Sequence, residues 1–147
     1  MPQLYPTFEV PKLEKKTNQV TNRNKYSVYF DFEKGDFVRN GSGIMKKSEP
    51  YDAWVQWCIK TVHTQRWACM AYSANTGVEL IEAAGQETKK GKEAYLEKTI
   101  TEALLADPYR RTNYVRNFQF GWQGDSVTVT CDIGGVWSNT TPLSIQI

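Results

Sequence analysis

The sequence predicts an α+β domain, a small mixed and mainly antiparallel sheet packed against two or three helices. Three observations carry this reading. Residues 26–32 and 118–133 alternate apolar with polar side chains, the period-two signature of strands with one buried face. Residues 50–62 and 93–106 repeat apolar side chains at helical spacing. Turn sequences punctuate them, Asn40-Gly41-Ser42-Gly43 in one hairpin and Gln123-Gly124-Asp125 in another. At 147 residues, 40% of them hydrophobic, the chain suits one domain with a single modest core.

Residues 1–25 stand apart as an extended N-terminal arm. Pro2, Pro6 and Pro11, a Lys15-Lys16 pair and a polar Thr17-Asn18-Gln19 run leave it poorly able to bury itself. It reads either as a disordered leader or as a clamp on a neighbouring subunit, anchored by Tyr5, Phe8, Val10 and Leu13. The regular domain spans 26–133, and residues 134–147 form a linker and a last strand.

Tyr26, Val28, Phe30 and Phe32 define the buried face of the first strand, and Phe37-Val38 and Ile44-Met45 flank the glycine hairpin. Ser48 offers a hydroxyl cap and Pro50 a first-turn proline for a helix running to about Val62. On it Trp54, Cys58 and Val62 recur every fourth residue, with Trp57 and Ile59 widening a stripe that reads as core or subunit interface. Residues 67–72 read as a short buried strand or an irregular crossing, and residues 78–84 as a short helix closed by Gly85. A Lys-rich loop over 86–92 precedes the clearest helix, 93–106, with Leu96, Ile100, Ala103 and Leu104 on one face. Leu143, Ile145 and Ile147 form a final strand that either extends the 118–133 hairpin or reaches a neighbour's sheet.

Composition narrows the function classes. Lys and Arg number 18 against 16 Asp and Glu, so no strong field favours a nucleic acid, although Tyr109, Arg110, Arg111 and Tyr114 have the side chains to stack bases and touch phosphates. No apolar run approaches the roughly 20 residues of a membrane span and no signal-peptide pattern opens the chain, so a soluble protein made in a cytoplasm is expected. Cys58, Cys69 and Cys131 are odd in number and read as small packed hydrophobes, and with His63 they lack the paired spacing of a metal site. No cofactor is expected. His63 reads as a helix-terminal residue facing carbonyls. Glu79 and Glu82 share one helical turn, but a glycosidase needs two carboxyls across a cleft, and no Ser-His-Asp or Cys-His grouping is present.

The order of elements over residues 26–80 is distinctive: a strand ending Phe30-Asp31-Phe32, a glycine hairpin, a Trp-rich helix, then Thr64-Gln65-Arg66-Trp67, Ala71-Tyr72-Ser73 and Gly77-Val78-Glu79-Leu80. It resembles the sheath-initiator family of contractile phage tails and phage-tail-like bacteriocins, baseplate wedge proteins once labelled lysozyme-like. The likeness covers about residues 26–133. It implies a domain similar to the strand-exchange domain of the sheath subunit, in a sixfold ring around the tube of a virion or tailocin baseplate assembled in the bacterial cytoplasm. It implies templating rather than catalysis, a lysozyme-like enzyme and a nucleic-acid module being the rival readings. Its partners would be the sheath protein and the wedge proteins, with tube or hub proteins and a neighbour's N-terminal arm as further contacts.

Many members carry Gly-Glu-Arg followed by a Pro and a Phe-Gly, a polar knot that docks on the wedge. Here Arg66 and Gly77 fit, Gln65 stands in place of the acid and no Pro precedes Gly77, a departure shared by a branch from Gram-positive hosts. Gln65, Arg66 and Gly77 are therefore the expected wedge-binding residues, the alternative being an internal ion pair of Arg66 with Glu79 or Glu82. The expected strand-exchange residues are Phe118, Phe120, Trp122, Val127, Val129, Cys131, Leu143, Ile145 and Ile147.

Overall fold

The computed structural model describes residues 23–137 and 139–147. The arm anchors Tyr5, Phe8, Val10 and Leu13 lie outside them. The fold is α+β, with three helices and seven strands in small antiparallel sheets among the described residues.

Chain order begins with β1 (Ser27–Val28), β2 (Phe30–Asp31), β3 (Asp36–Phe37) and β4 (Lys47–Ser48). The predicted first strand is this β1–β2 run, which pairs with β3 and then with β4. Between those partners residues 39–45 swing out as the expected glycine hairpin, closed by Asn40 N–H to Ile44 carbonyl at 2.8 Å, with Gly43 at φ 77°. The predicted buried face is only partly realised: Tyr26, Phe32 and Phe37 are exposed.

The helix α1 (Pro50–Val62) begins on the predicted proline, and Trp54, Cys58 and Val62 are fully buried as their spacing requires. Its cap differs from expectation. Glu49 holds the N-cap position without a side-chain bond, whereas Ser48 sits opposite Ser27 in β4, too early to cap, with its hydroxyl buried and unpartnered. The helix ends as foreseen at His63, whose Nδ1 lies 2.8 Å from the Ile59 carbonyl.

After α2 (Leu80–Ala84), α3 (Lys89–Leu105) starts four residues before the apolar periodicity suggests. Thr88 is the reason, its Oγ1 accepting the Gly91 N–H at 3.0 Å, so the Lys-rich segment becomes a first turn rather than a loop. Gly85 follows α2 at φ −72°, so it closes that helix without the left-handed conformation.

The main sheet is β5 (Thr112–Gln123), β6 (Ser126–Gly135) and β7 (Thr140–Gln146), in that spatial order and antiparallel throughout. The predicted hairpin is present, with Gln123 opposite Ser126 and Gly124 at φ 61°. Sequence places a linker from Gly134, yet β6 runs on through Gly135 because aromatic rings occupy the space its Cβ atoms would need. A Cβ on Gly134 would lie 2.1 Å from the Tyr114 ring, and one on Gly135 2.9 Å from Trp54. One face of this sheet meets α1 and α3, and Trp54, Ile100, Leu104, Val129, Cys131, Ile133 and Ile145 form the centre of the core.

The turn from α3 into β5 is built on Asp107. Its carboxylate accepts the backbone N–H of Tyr109 at 3.1 Å and of Arg111 at 2.9 Å, and the Arg111 fork at 2.8 and 3.0 Å. Both residues are buried, and the guanidinium lies between Tyr109 and Trp57, 5.1 and 5.5 Å from their ring centres. Replacing Asp107 by Ala strands a buried cation and frees two amides. Urea unfolding is expected to show a loss of about 3–5 kcal/mol, against about 0.5 kcal/mol or less for the exposed α3 control Glu97→Ala.

Candidate functional site

The three residues expected to bind a wedge partner do come together, in a knot at the start of α2. Backbone bonds Arg66 N–H to Val78 carbonyl at 2.9 Å and Val78 N–H to Thr64 carbonyl at 2.8 Å form a parallel bridge between Gln65 and Val78. This approach demands glycine at 77. Its φ is 96°, and a Cβ there would fall 2.5 Å from the Thr64 carbonyl oxygen.

Gln65 supplies what α2 lacks. No side chain of α2's own N-cap residue Glu79 caps the helix, and Gln65 Oε1 accepts the Leu80 and Ile81 amides at 2.8 and 3.2 Å while its Nε2 donates to Glu82 at 3.2 Å. A neutral amide can donate and accept in this way, and an acid here would face Glu82 with like charge.

Arg66 is largely buried. Its Nε donates to the Gly77 carbonyl at 3.0 Å and its Nη1 to Glu79 at 2.8 Å, with Glu102 at 3.5 Å from Nη1. The internal ion pair foreseen with Glu79 is thus formed, while Glu82 bonds Gln65 instead. The other Glu79 oxygen accepts the Tyr95 hydroxyl, and that hydrogen bond to a carboxylate holds the Tyr95 phenol above its ordinary pKa. The sign follows: the bond contributes stability below the ordinary tyrosine value of about 10 and loses it as pH climbs through the raised folded value. Glu79 is therefore a structural carboxylate with both oxygens engaged.

The knot closes the base of a loop over residues 67–76, whose first part, residues 67–72, reads from sequence as a short buried strand or an irregular crossing. It is instead exposed. Trp67 is 61% accessible at φ 63°, Met70 is fully accessible and Tyr72 partly so. The bonds from Val78 to Thr64 and Arg66 join the segments that flank this loop, and the residues between them project from the surface. Cys69 rides on this loop, so the expectation that all three thiols are packed fails for it, while Cys58 and Cys131 are buried.

The second expected site is the sheet. Val127, Val129, Cys131, Leu143 and Ile145 are buried, and Phe118, Phe120, Trp122 and Ile147 pack partly buried against them. All nine side chains lie on the core side of the sheet, where Phe118, Phe120, Trp122 and Ile147 remain half-exposed. Trp122 also donates to Glu93 at 2.7 Å, pinning the start of α3. What the sheet leaves open is backbone. Val127 and Ile147 exchange two main-chain bonds at 3.0 and 2.9 Å, which places Leu143 and Ile145 in the bonded register toward β6 and turns the main-chain groups of Ser144 and Gln146 outward. Pro142 falls in the outward set, where a missing N–H costs the sheet nothing. Among the described residues no strand pairs with that outer edge of β7, nor with the outer edge of β5, which is broken by a register shift around Asn117 at φ 58°.

Of the residues with side chains suited to a nucleic acid, Arg111 is buried and paired with Asp107, whereas Tyr109 and Arg110 are exposed. No described helix is long and apolar enough to cross a membrane.

Gly77→Ala should destabilise the fold by about 2 kcal/mol or more through its positive φ and the Thr64 clash. Arg66→Met, which leaves Glu79 without its cation, should cost about 3 kcal/mol in the same unfolding assay. Alkylation with iodoacetamide at mildly alkaline pH is expected to modify Cys69 alone in the native protein and all three cysteines after denaturation, because burial pushes Cys58 up and Cys131 up to about 11.

Comparison with curated proteins returns no match. A family model described as contractile injection system sheath initiator matches residues 26–135, from the first strand to the last residue of β6. The match takes in the Gln65–Val78 knot, the Asp107 turn and the β5–β6 hairpin, well over half of the sequence, and the chain belongs to the family of contractile injection system sheath initiators.

Proposed function

We propose that this protein is a non-enzymatic baseplate subunit that anchors and templates the first sheath ring. The outer edge of β7 accepts a strand from the sheath, and the 67–76 loop, carried on the Gln65–Arg66–Gly77 knot, meets the wedge. The observation that carries this reading is the pairing of a complete internal sheet with an unpaired, regular edge at residues 144–147. A strand added there gains main-chain bonds at Ser144 and Gln146 without disturbing the core behind them. The edge of β5 suits the task less well, since its register shift bends it away from straight pairing.

Arg66, Gln65 and Gly77 act on the wedge through the loop they hold rather than by direct contact. Trp67, Met70 and Tyr72 offer the large exposed apolar and aromatic area that partner helices bury. Six copies in a ring around the tube would present six such edges to the sheath. No step of this role calls for a catalytic group or a cofactor.

Ser144→Pro removes an outward donor while leaving the bonds to β6, as Pro142 already does. The variant is expected to melt close to the wild type and to remain in purified particles seen by electron microscopy, but on baseplates carrying naked tubes. Fully sheathed particles that retain it would overturn the β7 edge as the sheath contact. Trp67→Ser combined with Met70→Ser should leave the fold intact and remove the protein from baseplates, as read by blotting the particles.

A further inference from the structure

A second apolar surface lies along α1, bordered by Lys60, whose Nζ also sits 5.3 Å from the Tyr72 ring of the loop. Between the β1–β3 hairpin and α1 runs a cleft of about 500 Å³, walled by Val28, Phe30, Phe37, Ala53 and Trp57. Phe30 meets Phe32 and Phe37 edge to face at 5.1 and 5.2 Å, yet Phe32 and Phe37 remain more than 40% exposed. Gln56 also lines the cleft. Its Oε1 accepts the Phe30 amide at 2.9 Å, whereas its Nε2 is buried without a partner. A buried donor left unpaired carries the full desolvation cost of its N–H groups. The cleft therefore asks for apolar side chains and at least one carbonyl.

We infer that the cleft is the seat of this chain's own N-terminal segment, residues 2–13. Its composition matches the demand. Tyr5, Phe8, Val10 and Leu13 supply apolar anchors, and Pro2, Pro6 and Pro11 make it rich in carbonyls and short of amide donors. Aromatic-lined grooves take proline-rich segments for this reason.

The place where the described chain begins points the same way. Lys25 lies with its Nζ 5.5 Å from the Tyr109 ring, Tyr109 stacks on Arg111, and Arg111 stacks on Trp57 in the cleft wall. Ser27, two residues further on, lines the cleft itself. The residues from Glu14 to Tyr26 number 13, enough to run about 20 Å out and back at roughly 3.4 Å per residue. Such a short tether gives the segment a millimolar effective concentration, which favours it over the same segment of another copy.

The test uses the full chain and its quadruple variant Tyr5→Ser, Phe8→Ser, Val10→Ser, Leu13→Ser. Proton–nitrogen correlation spectra are recorded for both, dilute and concentrated, with molecular mass measured in parallel. Own-segment docking predicts that the amides of Val28, Phe30 and Phe37, the Trp57 indole and the Gln56 side-chain amide shift between the two proteins at either concentration, with both monomeric. Spectra that superimpose at these positions overturn the inference. So do differences seen only in the concentrated sample together with a dimer mass, which assign the segment to a neighbour's cleft. Shifts gathered instead at residues 67–76 or 140–147 place it elsewhere and equally sink the proposal.

Discussion

The Asp107 carboxylate is the constraint on which the rest of the structure hangs. All its acceptor capacity is used, two backbone amides and the two arms of the Arg111 fork, inside a turn of a few residues. That saturation fixes the angle at which the chain leaves α3 and begins β5. It also sets the next contact, because Thr112 follows immediately and its hydroxyl accepts the Trp54 indole at 2.9 Å. Through Trp57 on one side of the guanidinium and Trp54 on the neighbouring residue, α1 is registered against the sheet. A hydrophobic core alone is not directional; here a buried ion pair whose carboxylate accepts four hydrogen bonds decides which faces meet.

The same division of labour recurs at both candidate surfaces. Gln65, Arg66 and Gly77 are engaged in holding a loop, and the apolar residues of the three-stranded sheet lie on its core side. What these supports leave exposed is aromatic side chains on the loop and main-chain groups on the strand edge. Arg66 shows why the two roles separate. A guanidinium already desolvated against Glu79 gains little from leaving it for a partner carboxylate, since the first pair must be broken to form the second.

Where local signals agreed with burial, the sequence was readable. The four-residue recurrence of Trp54, Cys58 and Val62, the alternation along β6 and β7 and the Gly124 turn all point one way at once, and the structure follows. The misreadings have separate physical causes. Lys89, Lys90 and Gly91 carry no apolar period, so only the Thr88 hydroxyl announces that α3 has begun. Ser48 has the side chain of a cap but is claimed by strand pairing one position early. Residues 67–72 are apolar enough to look buried, yet they project from the surface between segments joined by the bridge of Gln65 and Val78, distant in sequence. In the site, the pairing of Arg66 with Glu79 was legible as an alternative, whereas Tyr95 and the capping of α2 by Gln65 depend on α3 and the knot lying side by side, which no local pattern encodes.

Pro142 has a further consequence for a subunit that must wait before it assembles. Two copies meeting edge to edge by their β7 strands, related by a twofold axis, would need each outward N–H to find a carbonyl across the seam. Any register that uses more than the last few residues brings Pro142 opposite an acceptor with nothing to donate. The edge is thus poor at recognising itself and still open to a foreign strand over its C-terminal end. One imino acid thus weakens the edge against a copy of itself while leaving the main-chain groups of Ser144 and Gln146 able to bond a different strand.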